Sequence, residues 1–361
     1  MARYPGVENE RRFGRRDLCA AVASIFRACG MSAADADLVA DSLVAADRRG
    51  IHSHGVLRVA DYVKKLQAEG VDPRGAPALV SRAGGALVVD GGNSLGQVAG
   101  VFAMDQAIAA AREVQVAFGA VRNSNHCGAL DYYTLRAAGQ GMIGIAGTNA
   151  LPTMAPWGGV DKIVGLNPLS VAMPVAGRAP LVLDVALGAT AHGKIRVFAQ
   201  KGEPIPDGWA FDADGRPTTD AQAALDGLIQ PIGAFKGIGL AMIVGLMSTL
   251  LSGAGYGLES GNMTDDAFAG RDGQFYLALN IAGFEDPDRF ATRLAGIVAD
   301  FEASRRAPGV ERIYVPGSLE ADIAARHDAE GIPLNAETLR SLVAAADACG
   351  ADAALFATDV P

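Results

Sequence analysis

The chain has 361 residues, of which half are apolar and 20% are charged, and its formal net charge is −9 at pH 7. Two domains are expected at this length, because a single hydrophobic core rarely grows beyond ~250–300 residues. The apolar content argues against a disordered chain, and the negative charge offers no surface for nucleic acid or an anionic membrane, so neither is expected as a partner.

The N-terminal part of the chain carries apolar residues at helical spacing. The pattern predicts one helix over residues 17–29 and another over residues 57–68. Between them, Ser32 and Asp35 are spaced as in a capping box, in which a side chain and a backbone N–H three residues on bond to each other. This spacing predicts the start of a further helix, which ends near Asp47.

From residue 76 onward, strands and helices alternate, which is typical of an α/β domain. Strands are predicted at 86–90, 116–121, 142–146, 181–184, 275–281 and 312–315, and helices at 98–113, 130–138, 238–251, 287–303, 319–330 and 336–346. We expect the α/β domain to span residues 76–318. We expect residues 1–75 to form a helical region that packs with the C-terminal helices, within residues 319–361.

Two stretches of the α/β region differ from the rest. Residues 238–251 are almost entirely apolar, but the run is shorter than the ~20 residues that span a bilayer, so it predicts a buried helix. Residues 147–220 contain eight prolines among many glycines and are predicted to be largely loop. Long irregular stretches inside a compact domain tend to carry function.

The four cysteines, Cys19, Cys29, Cys127 and Cys349, are scattered and form no C-x-x-C pair. Such spacing favours reduced thiols over a disulfide framework. The first 16 residues also lack the apolar core of a secretory signal. We therefore expect a soluble, cytoplasmic protein.

The first group of residues with chemical potential lies between two predicted helices and comprises His52, Ser53, His54, Gly55 and Arg58. Histidine has an ordinary pKa of about 6.5, which suits the proton exchange that accompanies carbonyl reduction. Arg58 follows His54 by one helical turn and offers a planar, permanently charged group for a substrate carboxylate. The spacing is equally consistent with residues that only cap a helix and satisfy loop backbone groups.

Other polar groups lie at the ends of predicted elements. Residues 123–126 (NSNH), Thr148 and Asp184 follow or end predicted strands, where ligands gather in α/β sheets. Lys236 precedes the apolar helix and residues 316–318 (PGS) precede another, so each could present a helix N-terminus to a phosphate. Each feature is weak alone, because polar residues, glycine and proline are ordinary at element ends.

Two familiar motifs are absent. No G-x-G-x-x-G follows a strand and opens a helix, so the conventional Rossmann dinucleotide fingerprint is missing. The histidines His52, His54, His126 and His192 show neither H-E-x-x-H spacing nor clustered carboxylates, so no metal site is expected.

Taken in order, these motifs resemble the type-2 malate/L-lactate dehydrogenase family, which includes ureidoglycolate and sulfolactate dehydrogenases, diketogulonate reductase and Δ1-piperideine-2-carboxylate reductase. The resemblance is carried by residues 50–58 (GIHSHGVLR), 123–126 (NSNH), 148–149 (TN), 156–159 (PWGG), 167–169 (NPL), 193–195 (GKI), 205–210 (IPDGWA), 236–237 (KG) and 314–317 (YVPG). The series extends across almost the whole chain.

The resemblance implies a family-specific, non-Rossmann nicotinamide-binding α/β fold with a helical N-terminal region, a homodimer, and NADH or NADPH as cofactor. It implies an acid–base role for His54, with Ser53 beside it and Asp184 as a candidate carboxylate partner. Some members use the histidine that matches His126 instead. Arg58 and Thr148 match positions that hold the substrate carboxylate. The positions that contact the cofactor match Asp184, Val185, Ala186, Lys236, Gly317, Ser318 and Leu319.

The chain departs from the usual family pattern at several positions. Leu166 stands where a threonine is usual, residues 186–188 (ALG) replace an Ala-Thr-Ser run, and Ser318 replaces an acidic residue. These differences leave the choice between NADH and NADPH open. Cys127 stands where a bulky apolar residue is common, which leaves the shape of the substrate pocket open.

We therefore expect hydride transfer between nicotinamide and a carbon with a C=O or C=N bond next to a carboxylate. The substrate would be a small 2-oxo or 2-hydroxy acid, as for malate and lactate, or alternatively a cyclic imine carboxylate. A non-catalytic protein that binds nicotinamide or a metabolite is a third alternative. Such a protein would have a broken site, yet Ser53, His54, Arg58, His126 and Lys236 are all present.

Overall fold

The computed structural model describes residues 10–261 and 270–356. Within these ranges the helices are α1 (Arg15–Ala28), α2 (Ala33–Arg48), α3 (Val59–Gln67), α4 (Gly96–Val114), α5 (Asp131–Ala138), α6 (His192–Lys201), α7 (Ala221–Asp226), α8 (Phe235–Thr249), α9 (Pro287–Glu302), α10 (Ser318–Glu330) and α11 (Ala336–Cys349). The strands are β1 (Arg11–Phe13), β2 (Ala78–Ala83), β3 (Ala86–Asp90), β4 (Val116–Ser124), β5 (Met142–Thr148), β6 (Pro152–Met154), β7 (Val164–Gly165), β8 (Leu169–Met173), β9 (Leu181–Val185), β10 (Ala210–Phe211), β11 (Pro217–Thr218), β12 (Leu228–Ile229), β13 (Asp272–Asn280) and β14 (Ile332–Leu334).

The central sheet has the strand order β2-β3-β4-β13-β5-β8-β9. Strands β3 and β4 are parallel, and the other neighbouring pairs are antiparallel. Because β13 lies antiparallel between β4 and β5, these two strands run in the same direction and end at the same edge of the sheet. Ser124 at the end of β4 pairs with Asp272, and Thr148 at the end of β5 pairs with Gln274. The polar residues that follow β4 and β5 therefore start close together.

The two faces of the sheet bury different cores. Successive side chains along β13 point to opposite faces, so Tyr276 packs with residues of α4 and α5, whereas Phe275 packs with residues of α8. Helices α4 and α5 thus cover one face and α8 covers the other. The predicted α/β class is confirmed, and the mostly antiparallel sheet differs from the parallel sheet of a Rossmann fold.

The N-terminal and C-terminal parts of the described chain share a hydrophobic core. Phe26, Leu43 and Tyr62 belong to the same buried cluster as Leu339 and Leu342. Strand β1 also pairs with β14 in an antiparallel ladder. The division into a helical region and an α/β domain, with boundaries at residues 75 and 318, stays a prediction.

Two of the scattered cysteines meet beside this shared core. Cys29 follows the last residue of α1, Cys349 is the last residue of α11, and their Sγ atoms lie 3.0 Å apart. Both are free thiols. No local pattern predicts this proximity, because the two residues are 320 positions apart and meet only through the packing of the two helices.

The strand predicted at residues 312–315 is wrong. Residues 312–315 form no strand; they lead into α10 without a ladder partner among the described residues. Residues 147–220 are largely loop, as predicted, but they also contain two elements that the sequence pattern did not predict, α6 and β8, and β8 is a member of the central sheet. Pro168 and Pro174 bracket β8, so the alternating pattern is too short to predict a strand. The predicted N-terminal cap of α2 is confirmed, since the Ser32 side chain accepts a hydrogen bond from the backbone N–H of Asp35.

The apolar helix α8 is only half buried, contrary to the prediction. Its inner face carries Ile238, Ala241 and Val244 into the core, but Ile243 is 57% exposed and Leu250, just after the helix, is 67% exposed. A helix that is apolar all round normally lies in an interior. The outer face of α8 is therefore a surface that residues 10–261 and 270–356 of this chain leave uncovered. No helix in these ranges is both long and apolar enough to cross a bilayer.

Candidate active site

The segment that carries His54 consists of two 3-10 turns, His52–His54 and Val56–Arg58, between α2 and α3. A carboxylate near the end of α2 holds both turns. Asp47 is 1% exposed, and its two oxygens lie 2.6 Å from His52 Nδ1 and 2.7 Å from the backbone nitrogen of Val56, which donates to it. Because one buried carboxylate bonds both turns, it fixes their relative position.

Gly55 lies between the two turns and packs directly against Asp47, and a Cβ atom at this position would overlap the carboxylate. We expect Gly55→Ala to lower the free energy of unfolding by about 1–3 kcal/mol, the usual cost of forced overpacking. Urea denaturation measures this change. The matched control is Gly296→Ala in α9, where an added Cβ meets nothing within 4 Å. Equal unfolding midpoints for the two variants would contradict this packing of Gly55 against Asp47.

His54 and His126 stack on each other, with ring centroids 5.6 Å apart and planes at 18°. His126 reaches this position because it lies two residues beyond the end of β4. Burial, and to a smaller extent the charge of Arg58, lower the pKa of His54 to about 4. Burial also lowers the pKa of His126 well below its ordinary value, and His54 and Arg58 add to the effect. Both imidazoles are therefore neutral at pH 7 in the free protein.

Arg58 lies beside this histidine pair and is tied to the same segment. Its Nε donates to the backbone carbonyl of Ser53 at 2.7 Å, and its Nη1 donates to Asp61 Oδ2 at 3.1 Å. Its guanidinium carries five N–H groups, so further donors remain for a ligand carboxylate. The arginine thus supports the turn of His54 and supplies a positive charge next to it.

A chain of hydrogen bonds fixes the inner side of the His126 ring. The Tyr62 hydroxyl lies 2.7 Å from His126 Nδ1, and Gln97 Nε2 donates to the same hydroxyl at 2.9 Å. The backbone N–H of Gly128 also donates to His126 Nδ1, at 3.3 Å. Tyr62 comes from α3 and Gln97 from α4, so two helices hold one imidazole.

Thr148 lies at the edge of the sheet next to this region and is 8% exposed. Its hydroxyl donates towards the carbonyl oxygens of Asn149, at 3.0 Å, and Gly273, at 3.1 Å. The hydroxyl proton is thus already used within the protein, and only the oxygen lone pairs remain for another partner.

Asp184, which the resemblance implied as a carboxylate partner of His54, lies instead beside the start of α5. Its Oδ2 accepts a hydrogen bond from the backbone N–H of Asp131 at 2.9 Å, at the start of α5. Burial, and after it the nearby Asp131 carboxylate, raise the pKa of Asp184 to about 7. Asp131 in turn accepts from Arg49 Nε at 2.6 Å, and Arg49 directly precedes the segment of His54. In the described ranges, Asp184 reaches that segment through Asp131 and Arg49 and makes no hydrogen bond to His54.

The stretches assigned to the cofactor by resemblance surround the two ends of β9. Gly317, which precedes α10, packs against Val182, and Pro316 accepts a hydrogen bond from the Val182 backbone at 3.1 Å. Beyond the other end of β9, the chain bonds to residues 230–232, which lead into α8. Lys236 lies in the first turn of α8 and is exposed. Asp184, Val185 and Ala186 thus lie at the C-terminal end of β9, whereas Gly317, which Ser318 and Leu319 follow, lies beside its N-terminal end.

Sequence reasoning missed Asp47, Tyr62 and Gln97. A signal was present for the first two, because Asp47 follows Leu43 by four residues on the apolar face of α2 and Tyr62 lies on the apolar face of α3 with Val59. A polar side chain on an apolar face is buried and needs a partner. The partners themselves lie far away in sequence and gave no local signal.

The arrangement can exchange one proton and hold one carboxylate. Two neutral imidazoles, His54 and His126, lie face to face, and the charge of Arg58 lies beside them. In the part of the chain that the structure describes, no three His, Cys, Asp or Glu side chains are placed to hold a metal ion.

Comparison with known proteins gives a consistent set of relatives. A family model described as malate/L-lactate dehydrogenase matches residues 14–343. The malate dehydrogenase of Pyrococcus abyssi is 36% identical over 318 residues, which cover 86% of this chain and 87% of that relative. The Δ1-pyrroline-2-carboxylate/Δ1-piperideine-2-carboxylate reductase of Pseudomonas putida is 33% identical over 344 residues, which cover 94% and 98%. The solved structure of sulfolactate dehydrogenase from Methanocaldococcus jannaschii has a TM-score of 0.89 at 32% identity and covers 95% and 99% of the two chains.

Proposed function

The chain belongs to the malate/L-lactate dehydrogenase family, and on this premise we propose that it transfers a hydride between a nicotinamide cofactor and a small 2-oxo or 2-hydroxy acid. The observation that carries the proposal is the stacked pair of His54 and His126 beside the guanidinium of Arg58. Reduction of a carbonyl next to a carboxylate needs one proton and one fixed positive charge, and these side chains supply both.

In this proposal His54 exchanges the proton and Arg58 holds the carboxylate. The Ser53 hydroxyl lies 2.9 Å from His54 Nδ1 and orients the ring, which leaves Nε2 for the substrate. Neutral His54 accepts the hydroxyl proton when a 2-hydroxy acid is oxidised. In the reverse direction His54 must be protonated, and a carboxylate bound at Arg58 favours this because it offsets the charge that lowers the pKa of His54.

Thr148 and Asp184 have supporting roles in the proposal. Thr148 would hold the substrate carboxylate, as the resemblance implies, by turning its hydroxyl away from the carbonyl oxygens of Asn149 and Gly273 when the substrate binds. Asp184 acts on the histidine segment indirectly, through Asp131 and Arg49. It therefore places the segment rather than relaying the proton of His54.

The cofactor is NADH or NADPH, which supplies or accepts the hydride when bound. The region around β9 fits such a group. Gly317 precedes α10 with a positive φ of 85° and packs closely against Val182, and the first turn of α10 that follows it can offer backbone N–H groups to a cofactor phosphate. Lys236 is an exposed cation in the first turn of α8 and suits a cofactor phosphate. Asp184, Val185, Ala186, Ser318 and Leu319 would make the remaining contacts.

A spectrophotometric screen tests the function. Reduced-nicotinamide absorbance is followed with NADH and with NADPH against pyruvate, oxaloacetate, sulfopyruvate, diketogulonate and piperideine-2-carboxylate. We expect one of the carboxylates to give turnover, and a response limited to the cyclic imine would assign the chain to imine reduction. Cofactor binding without turnover on any of these compounds would favour a non-catalytic binding protein and contradict the proposal.

We also propose that the protein is a homodimer whose interface buries the outer face of α8. This face and the residues after it expose Leu240, Ile243, Met247, Leu250 and Leu251. Contiguous apolar surface of this kind marks association sites. Light scattering during gel filtration is expected to show a dimer for the native chain and a monomer for Ile243→Glu. The control Val310→Glu changes an exposed apolar residue in the loop before α10 and should remain dimeric. A native monomer at micromolar concentration would contradict this proposal.

We place the protein in the cytoplasm, the compartment that keeps thiols such as those of Cys29 and Cys349 reduced. Fractionation of cells that express the chain tests this location, and recovery in the membrane or secreted fraction would contradict it.

A further inference from the structure

The hydrogen bonds around His126 Nδ1 determine where the proton of this neutral imidazole lies. The backbone N–H of Gly128 points to Nδ1 at 3.3 Å, and a backbone N–H can only donate. Nδ1 must therefore present its lone pair rather than a proton. A neutral imidazole with an unprotonated Nδ1 carries its proton on Nε2.

The direction of the hydrogen bond from the Tyr62 hydroxyl follows from this assignment. The hydroxyl lies 2.7 Å from His126 Nδ1, so it donates its proton to the lone pair. Its oxygen is then free to accept, and Gln97 Nε2 donates to it at 2.9 Å. The three groups form a chain in which each bond has a donor and an acceptor, running from Gln97 through Tyr62 to His126.

The opposite direction is less satisfactory. If the Gln97 amide were turned, Oε1 would accept from Tyr62, and the Tyr62 oxygen would accept from a proton on His126 Nδ1. That proton would face the N–H of Gly128, and two donors would oppose each other at one atom. When the hydrogen bonds run from Gln97 to His126, the Gln97 Oε1 atom has no hydrogen-bond partner among the described residues. This atom is separated from the imidazole by the Gln97 amide and the Tyr62 hydroxyl. A buried amide oxygen without a partner has a cost, but it does not bear on His126.

We propose that Tyr62 is a positioning residue that holds His126 as the neutral, Nε2-protonated tautomer, so that His126 donates a hydrogen bond to the reacting oxygen or nitrogen while His54 exchanges the proton. This inference rests on the proposed function. A neutral imidazole polarises a carbonyl through its N–H without giving up the proton. A second proton on His126 would need Nδ1, which would break the bond from Tyr62 and oppose the N–H of Gly128. The neighbours His54 and Arg58 also disfavour a charge on this ring.

The tautomer can be observed without any turnover. The full-length protein is labelled with nitrogen-15 in its histidine rings, and the two ring nitrogens are distinguished by their couplings to the carbon-bound ring protons. The signals of His126 are those lost in His126→Asn. We expect an unprotonated Nδ1 and a protonated Nε2 for His126 at pH 7. A protonated Nδ1, or protons on both nitrogens, would overturn the inference even if the enzyme reduces 2-oxo acids.

The Tyr62→Phe variant tests the role of the tyrosine itself. It removes only the hydroxyl, and the matched control is Tyr132→Phe, whose hydroxyl donates to Asp41 Oδ2 at 2.9 Å away from this ring. In Tyr62→Phe we expect the His126 signals to move towards a mixture of tautomers and kcat to fall about tenfold, as for the loss of one hydrogen bond, with KM nearly unchanged. In Tyr132→Phe the His126 signals and kcat should stay as in the native protein. Unchanged His126 signals in Tyr62→Phe would overturn the positioning role of Tyr62, whether or not the variant is less stable. This result is informative even if the protein does not have the proposed activity.

Discussion

Replacement of His54 by glutamine is expected to lower kcat by about 10² to 10⁴, the usual contribution of a positioned acid–base group. The glutamine side chain fills much of the same space and can still hydrogen-bond, but it cannot exchange a proton at neutral pH. The stack on His126 and the bond to Ser53 show that His54 is held in one orientation, so the loss should appear in kcat rather than in KM. Steady-state kinetics with a saturating cofactor measure it.

The corresponding variant at the second histidine separates the two roles. Glutamine at position 126 retains an N–H donor, so His126→Gln should lose less activity than His54→Gln. Nicotinamide binding, measured by fluorescence, should be nearly the same in both variants and in the native protein. A larger loss for His126→Gln would assign the proton exchange to His126 and contradict the role proposed for His54.

The pH dependence of His54 follows from its low pKa, about 4, which burial causes in the first place and Arg58 in the second. The ring is neutral above this pH, so the free enzyme already holds the form needed to accept a proton. The titration of His54 should therefore leave kcat/KM for oxidation constant from about pH 5 to 8. Over the same range kcat/KM for reduction should fall about tenfold per pH unit, because reduction needs the protonated ring. Because a bound carboxylate raises the pKa of His54, kcat for reduction should persist to higher pH than kcat/KM.

Arg58→Gln is expected to raise KM for a 2-oxo acid by about 10- to 100-fold, the range for loss of a charge-assisted hydrogen bond to a carboxylate. Steady-state kinetics across substrate concentration measure the change. The guanidinium also bonds the carbonyl of Ser53, so kcat should fall as well when the turn of His54 loosens.

A substrate without the carboxylate charge is the control for this variant. The methyl ester of the same 2-oxo acid has the reacting carbonyl but no anion, so native protein and Arg58→Gln should handle it almost equally in KM. A second control, Asp61→Asn, removes the partner of Arg58 Nη1 and leaves the guanidinium in place. An equal KM effect of Arg58→Gln on the acid and the ester would show that Arg58 does not hold the carboxylate.

The sequence predicts local features of this fold well, because they depend on neighbouring residues. The N-terminal cap of α2 at Ser32, the α/β alternation and the position of His54 between two helices follow from spacing alone. The approach of Cys29 to Cys349 does not, since it depends on the packing of α1 against α11. The exposed face of α8 was not predicted for a related reason. Apolar composition predicts that a helix is buried, but it does not distinguish burial within the same chain from burial against another chain.

The candidate site shows the same limit. Motifs identify His54, Arg58 and His126 one by one, and only the fold brings the two histidines into a stack. Asp47 and Tyr62 lie on apolar helix faces, so their burial is predictable, but their bonds to His52 and His126 come from tertiary structure. The resemblance suggested Asp184 as the partner of His54, whereas the structure connects Asp184 to α5 through Asp131. Local sequence thus predicts the residues of the candidate site better than it predicts the contacts between them.

Transfer of an isotope label tests the proposed hydride transfer most directly. Reduced nicotinamide carrying deuterium at the transferable position of carbon 4 is incubated with the protein and the 2-oxo acid that the screen identifies, and the product is analysed by mass spectrometry and proton NMR. We predict a 2-hydroxy acid with one deuterium on the carbon next to the carboxylate, formed by the native protein and about 10²-fold more slowly, or slower still, by His54→Gln. A product without label at that carbon, or equal rates for the two proteins, would contradict the proposed function.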